Sequence, residues 1–193
     1  MKKLLCSALL LCGLASPSAA ATITFDDRST FLAAAGSVTT HANPTFSQIR
    51  TPDTVSFNGL TLAPAPGSSV LSSNTFSTLI ANEIAQSGVE NFDVTVNQPS
   101  PVFGFGFDVH EPIASTGTRD GCNVSVCLES TFQVSLLLNG ALLQVVQFSP
   151  ANDVLAFFGV QTTDPFNQIQ VREIVGGNDN EFFGNFVSTQ VAA

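Results

Sequence analysis

Val102-Phe103-Gly104-Phe105-Gly106-Phe107-Asp108-Val109 is the stretch on which the fold turns. Bulky residues alternate with small or polar ones. The two-residue repeat of a strand gathers Phe103, Phe105, Phe107 and Val109 onto one face. Glycines opposite them leave room for a neighbouring element to approach closely. Two β-rich runs, Thr131 to Leu138 and Ala141 to Phe148, meet at Asn139-Gly140, the strongest short hairpin signal. Val55-Ser56-Phe57 and Leu60-Thr61-Leu62 flank Asn58-Gly59 in the same way. The same composition predicts strands at Thr22–Phe25, Val89–Val96, Val154–Val160, Gln168–Ile174 and Glu181–Ser188.

One helix interrupts this pattern. Asp26 or Asp27 caps it, Arg28 to Ala35 supply good formers with Phe31 and Leu32 as the buried face, and Gly36 ends it. Turn clusters such as Pro64-Ala65-Pro66-Gly67-Ser68-Ser69 separate the strands, with no internal repeat, coiled coil or long linker. Many short strands, hairpin turns and one small N-terminal helix predict an all-β fold. We expect an antiparallel two-sheet β-sandwich of jelly-roll type.

The first residues carry an export signal. Lys2 and Lys3 form a positive n-region and Leu4 to Leu14 an apolar stretch too short to span a bilayer. Ser16-Pro17-Ser18-Ala19-Ala20-Ala21 supplies small residues for cleavage after Ala20 or Ala21. Residues 1–21 are therefore expected to be a signal peptide, and residues 22–193 a single secreted or cell-surface domain. A lipid anchor at Cys12 is disfavoured, because Leu9-Leu10-Leu11 lacks the small residues such a site needs. Cutting after Ala21 leaves 172 residues, enough to bury roughly 70% of the unfolded surface.

Cleavage also changes the charge. The whole chain carries -9; the mature part keeps four arginines against all fifteen acids, a net -11. Such a surface repels phosphate backbones and anionic headgroups, which excludes nucleic acid as an expected partner, and it can hold divalent cations. No mature segment reaches the length of a membrane span. Of four cysteines, Cys6 and Cys12 leave with the leader. Cys122 and Cys127 then read as a disulfide in an oxidising compartment, a short clip worth about 2 kcal/mol. Zinc would need two further ligands nearby. A redox pair is the less favoured alternative to a structural bridge.

Four segments stand out together: Phe25-Asp26-Asp27-Arg28-Ser29-Thr30-Phe31-Leu32-Ala33-Ala34-Ala35-Gly36, the run Phe103 to Val109, Val154-Leu155-Ala156-Phe157-Phe158-Gly159-Val160, and Asn178-Asp179-Asn180-Glu181-Phe182-Phe183-Gly184-Asn185-Phe186. In these the chain resembles secreted bacterial proteins of the PEP-CTERM (exosortase-sorted) type. The resemblance implies a β-sandwich exported by a Gram-negative cell and associated with extracellular polysaccharide or other matrix components. The sequence ends at Val191-Ala192-Ala193 without the group's sorting tail, so either the tail lies outside this sequence or this member is expected to be released without sorting. Surface anchoring is therefore not carried over.

The acids offer one candidate site. Gly176-Gly177-Asn178-Asp179-Asn180-Glu181 gathers the oxygen ligands that calcium requires. A jelly roll that brings its first and last strands together would add Asp26 or Asp27 to Asp179 and Glu181. Calcium is the one cofactor suggested, against the ordinary reading of a polar turn beside a helix cap. The Gly-Gly-Asn-Asp string is similar to one copy of a calcium-binding nonapeptide, but a single copy cannot build a β-helix.

Asp108-Val109-His110-Glu111 sets a histidine among carboxylates, with Asp108 and His110 on one strand face; the alternation points that face outward to solvent. His41 stands in a Thr-rich loop with no evident partner. No Gly-x-Ser-x-Gly turn, phosphate-cradling loop or catalytic carboxylate context is present. Seventeen phenylalanines with no tryptophan or tyrosine argue for core over a flat aromatic sugar platform. In Phe157-Phe158 and Phe182-Phe183 one ring of each pair must leave the core, to be covered by another element or exposed as a contact patch. Together these features predict a non-catalytic envelope or matrix protein with a structural or interaction role. The alternative is a calcium-assisted carbohydrate-binding module.

Overall fold

A computed structural model describes residues 21–67, 70–73, 80–83, 91–110, 130–151, 154–176 and 181–193. Among them the strands are β1 (Thr22–Phe25), β2 (Thr39–Thr40), β3 (Val55–Phe57), β4 (Leu60–Pro64), β5 (Val70–Ser73), β6 (Ile80–Glu83) and β7 (Asn91–Val96). They continue as β8 (Val102–His110), β9 (Thr131–Leu138), β10 (Ala141–Phe148), β11 (Leu155–Phe166), β12 (Gln168–Val175) and β13 (Glu181–Thr189). The helix α1 spans Arg28–Ala35.

The strands form two antiparallel sheets, ordered β1-β11-β8-β13-β6-β5 (with β2 also on β13) and β10-β9-β12-β7-β4-β3. The chain crosses between the sheets from β2 to β3, β4 to β5, β6 to β7, β7 to β8, β8 to β9, β10 to β11, β11 to β12 and β12 to β13. Both Asn-Gly hairpins form: Asn58 and Gly59 have φ of 41° and 83°, Asn139 and Gly140 51° and 84°. Two successive left-handed residues match the twist of the strands they join. The short β2, β5 and β6 carry no alternation long enough to read in advance.

Phenylalanine fills the space between the sheets. Phe107 lies 5.4 to 6.5 Å, centroid to centroid, from the rings of Phe92, Phe105, Phe148, Phe158, Phe183 and Phe186. Tilted and edge-on rings at such spacing add to the area term. One expectation needs correcting. Val102, not Phe103, enters this core, because the β8–β11 register shifts between Gln161 and Phe166 and a bulge re-aims side chains.

Helix α1 packs on the outside of the seven-stranded sheet. Its Phe31 and Ala35 join Phe157 and Val187 in a second apolar cluster, with Leu32 only partly buried. Asp27 is the cap, accepting from the Thr30 amide, and the Gly36 amide closes the C-terminus on Leu32 O. The glycines of β8 do what their spacing suggests. A Cβ at Gly106 would stand 2.5 Å from Phe157 Cζ, and one at Gly104 2.6 Å from Thr189 Cγ2. Phe157 thus finds cover under the helix while Phe158 fills the main core, and Phe182 and Phe183 are both buried.

Candidate functional site

Of the four acids expected to bind calcium, the three described ones, Asp26, Asp27 and Glu181, do not stand together. Asp26 is exposed just past β1, and Asp27 is occupied as the helix cap. Hydrogen bonds from Ser29 and Thr30 hold the Asp27 carboxyl down at about 2. Glu181 opens β13, which is separated from β1 by β11 and β8, a span of roughly 14 Å at the usual strand spacing. Asp179 lies outside the described residues, as do Cys122 and Cys127. Glu181 is instead buried beside Ser130, whose hydroxyl donates to Glu181 Oε1 at 2.8 Å and to Glu173 Oε1 at 3.2 Å. No group of three potential metal ligands occurs among the described residues.

Asp108 does not face solvent, contrary to the alternation reading. Helix α1 covers it and directs Arg28 onto it, with Nε and Nη2 donating to Oδ1 at 3.0 and 2.8 Å. Asn185 Nδ2 donates to Oδ2 at 2.8 Å, and Arg28 Nη2 also reaches Asn185 O at 2.6 Å. The guanidinium lies 4.8 Å from the Phe157 centroid. Alternation tells which residues share a face; it cannot tell what will cover that face. This network clamps the helix. His110 is partly buried with its ring edge-on to Phe182.

His41 has partners that the sequence hid. Its Nδ1 stands 2.7 Å from Asn58 O and its Nε2 2.9 Å from Ser188 Oγ. A carbonyl only accepts, so Nδ1 carries the proton and the Ser188 hydroxyl donates to Nε2. Burial pushes the imidazole pKa down and keeps the ring neutral. The pair has the outline of a serine–histidine dyad. Yet both residues are enclosed, at 0% and 2% exposure, so no substrate reaches the hydroxyl. Its work is structural: it ties the β3–β4 hairpin of one sheet to β13 of the other.

Among the described residues no helix covers the outer face of the six-stranded sheet, although Ser135 and Leu137 on it are buried. Leu62, Val94, Ile169, Val134 and their neighbours point inward, so the intervening residues point out. Cross-strand register aligns them into rows: Thr61, Thr95, Gln168 and Leu137; then Ala63, Asp93, Gln170, Ser135 and Val145; then Asn91, Arg172, Gln133 and Gln147. Arg172 pairs with Asp93 across β12 and β7. Thr95, Gln133 and Gln170 make no side-chain hydrogen bond among the described residues. Gln168 and Gln170 stand two apart in the sequence, but only register shows which residues of neighbouring strands lie beside them.

A second concavity of about 470 Å³ opens between the β1 and β10 edges, lined in part by Thr24, Phe25, Asp26, Gln147, Phe148 and Ser149. No helix among the described residues is long and apolar enough to cross a membrane.

These features define a two-sheet antiparallel β-sandwich with one face clamped under a helix and the other, among the described residues, bearing no helix but a mixture of polar and apolar side chains. No family model matches the chain, and no curated protein matches it. Solved structures similar to it include a mutant of the family 29 carbohydrate-binding module CBM29-2 complexed with mannohexaose. That match has 14% identity and a TM-score of 0.47, over 81% of this chain and 93% of that one. A further CBM29-2 mutant, complexed with cellulohexaose, matches at 14% identity and 0.46, over 81% and 92%. At this distance the likeness is one of architecture.

Proposed function

We propose that the mature domain is a secreted, non-catalytic binding module of the cell envelope or extracellular matrix. In this reading it holds polysaccharide on the outer face of its six-stranded sheet. The carrying observation is the outward polar side chains of three adjacent strands: Thr95, Gln170 and Gln133 step diagonally through successive rows and make no side-chain hydrogen bond among the described residues. Amides and hydroxyls both donate and accept, as sugar hydroxyls do. Adjacent strands stand about 4.8 Å apart, close to the length of one pyranose along an extended glycan. Such a chain laid along the row Asn91, Arg172, Gln133 and Gln147 would meet one polar side chain per sugar. Without a tryptophan or tyrosine plate, recognition rests on hydrogen bonds and not on stacking. The leader and the resemblance to PEP-CTERM proteins support placing this work outside the cell.

The test is titration of the full chain with extracellular polysaccharides, repeated with Gln133→Ala/Gln170→Ala. The double variant should weaken binding by about tenfold or more, given about 1 kcal/mol for each net hydrogen bond, with its melting temperature unchanged. Wild-type affinity in the double variant would overturn the reading. A run with calcium and with chelator addresses the second reading, calcium-assisted binding, which is favoured by the two carboxylates buried about Ser130. Binding lost only in chelator would select it.

A further inference from the structure

The cleft between the sheet edges exists because two neighbouring strands differ in length. β1 ends at Phe25, opposite Gly159, and the chain turns into the helix cap. β11 runs on through Leu155, so its edge at Ala156–Phe158 loses the β1 partner there. Across the mouth of the sandwich the end of β10 supplies Gln147 and Phe148, followed by Ser149. Unpaired strand edge, amide, hydroxyl and half-buried phenyl rings therefore surround one space of about 470 Å³. A pyranose needs such a mixture, with hydroxyls at its rim and an apolar face.

Charge narrows the choice. Among the described residues that line the cleft, Asp26 is the one ionisable side chain. Its neighbour Asp27 stays anionic as the helix cap, and Arg28 is turned away onto Asp108. The chain as a whole carries -9. A uronate or phosphate would be repelled, whereas an ammonium would gain both the carboxylate and the aromatic walls. We infer that this cleft is a second glycan subsite for an amine-bearing sugar, a hexosamine residue whose ammonium pairs with Asp26 and whose ring rests among Phe25 and Phe148. The inference rests on the reading of the domain as a polysaccharide-binding module.

The experiment titrates the full chain with a glucosamine tetramer and with its fully N-acetylated counterpart. The amine form should bind at least tenfold more tightly. Asp26→Asn should abolish that preference, while Asp53→Asn, at an exposed carboxylate elsewhere, should leave it intact. Equal affinity for the two tetramers, no binding of the amine form, or an unchanged preference in Asp26→Asn would overturn the proposal. So would an equal loss in Asp53→Asn, which would mark general charge attraction. Gln133→Ala/Gln170→Ala separates the two sites. If it abolishes polysaccharide binding while Asp26→Asn changes nothing, the cleft fails and the sheet-face reading stands.

Discussion

On the seven-stranded sheet the outward positions of β8 and β11 include Gly104, Gly106 and Gly159, and a helix, a phenyl ring and a threonine sit against them. On the six-stranded sheet the outward positions of β7, β12 and β9 include Asp93, Gln170 and Gln133, and no described helix lies there. Both faces obey the same strand alternation. They differ in what stands at the outward positions: absent side chains admit a covering layer, and long amides keep one off.

The largest effect should come from removing the cover. Phe31 is fully buried between helix and sheet, its ring 5.4 Å from Phe25 and 5.6 Å from Phe157. Phe31→Ala is expected to cost about 3–5 kcal/mol in urea unfolding. Gln170→Ala on the outer face of the six-stranded sheet should stay within about 0.5 kcal/mol. A loss below 1 kcal/mol for Phe31→Ala would mean that the helix adds little, and the contrast between the faces would collapse.

Next in size is the clamp. Asp108→Ala strands Arg28 against Phe157 and removes the acceptor of Asn185 Nδ2. Breaking a fully buried pair costs about 3–5 kcal/mol, but the Arg28 side chain keeps 28% of its exposure, so about 2 kcal/mol is expected here. Faster hydrogen exchange confined to the α1 amides would locate the loss. Unchanged exchange there, with equal destabilisation everywhere, would show that the network does not serve the helix.

Much of this contrast was legible. The placing of Phe105, Phe107 and Val109 on one face of β8, both Asn-Gly turns, the helix with a cap at Asp26 or Asp27 and the room left by Gly106 all follow from local rules that the fold did not override. The rest required distant partners. Asp108 looked solvent-facing because its cover, Arg28, lies 80 positions away in sequence. Phe103 was displaced by a register shift that originates in the partner strand. The amide rows combine residues from separate strands, so no single stretch displays them. Asp26, expected as a calcium ligand beside Glu181, lines a cleft at the opposite side of β11 and β8.

The smallest effect concerns the seam that holds the two faces back to back. His41 joins Asn58 of one sheet to Ser188 of the other only while its ring is neutral, since Nε2 must accept. Its folded pKa is lowered by burial, whereas in the unfolded chain it titrates near 6.5. Above that pH both states are neutral and the group adds no slope. As pH falls below about 6.5 the unfolded chain takes up the proton first, so stability declines, by at most about 1.4 kcal/mol per pH unit, until the folded ring also titrates. The Asp27 contribution has the same sign but a separate window: it is present above the ordinary carboxylate value and is lost as pH falls towards about 2. Urea unfolding at pH 7.5, 6.0 and 5.0 should therefore show a decline that flattens in His41→Gln. An identical decline in that variant would assign the slope to other groups and leave the seam to apolar packing alone.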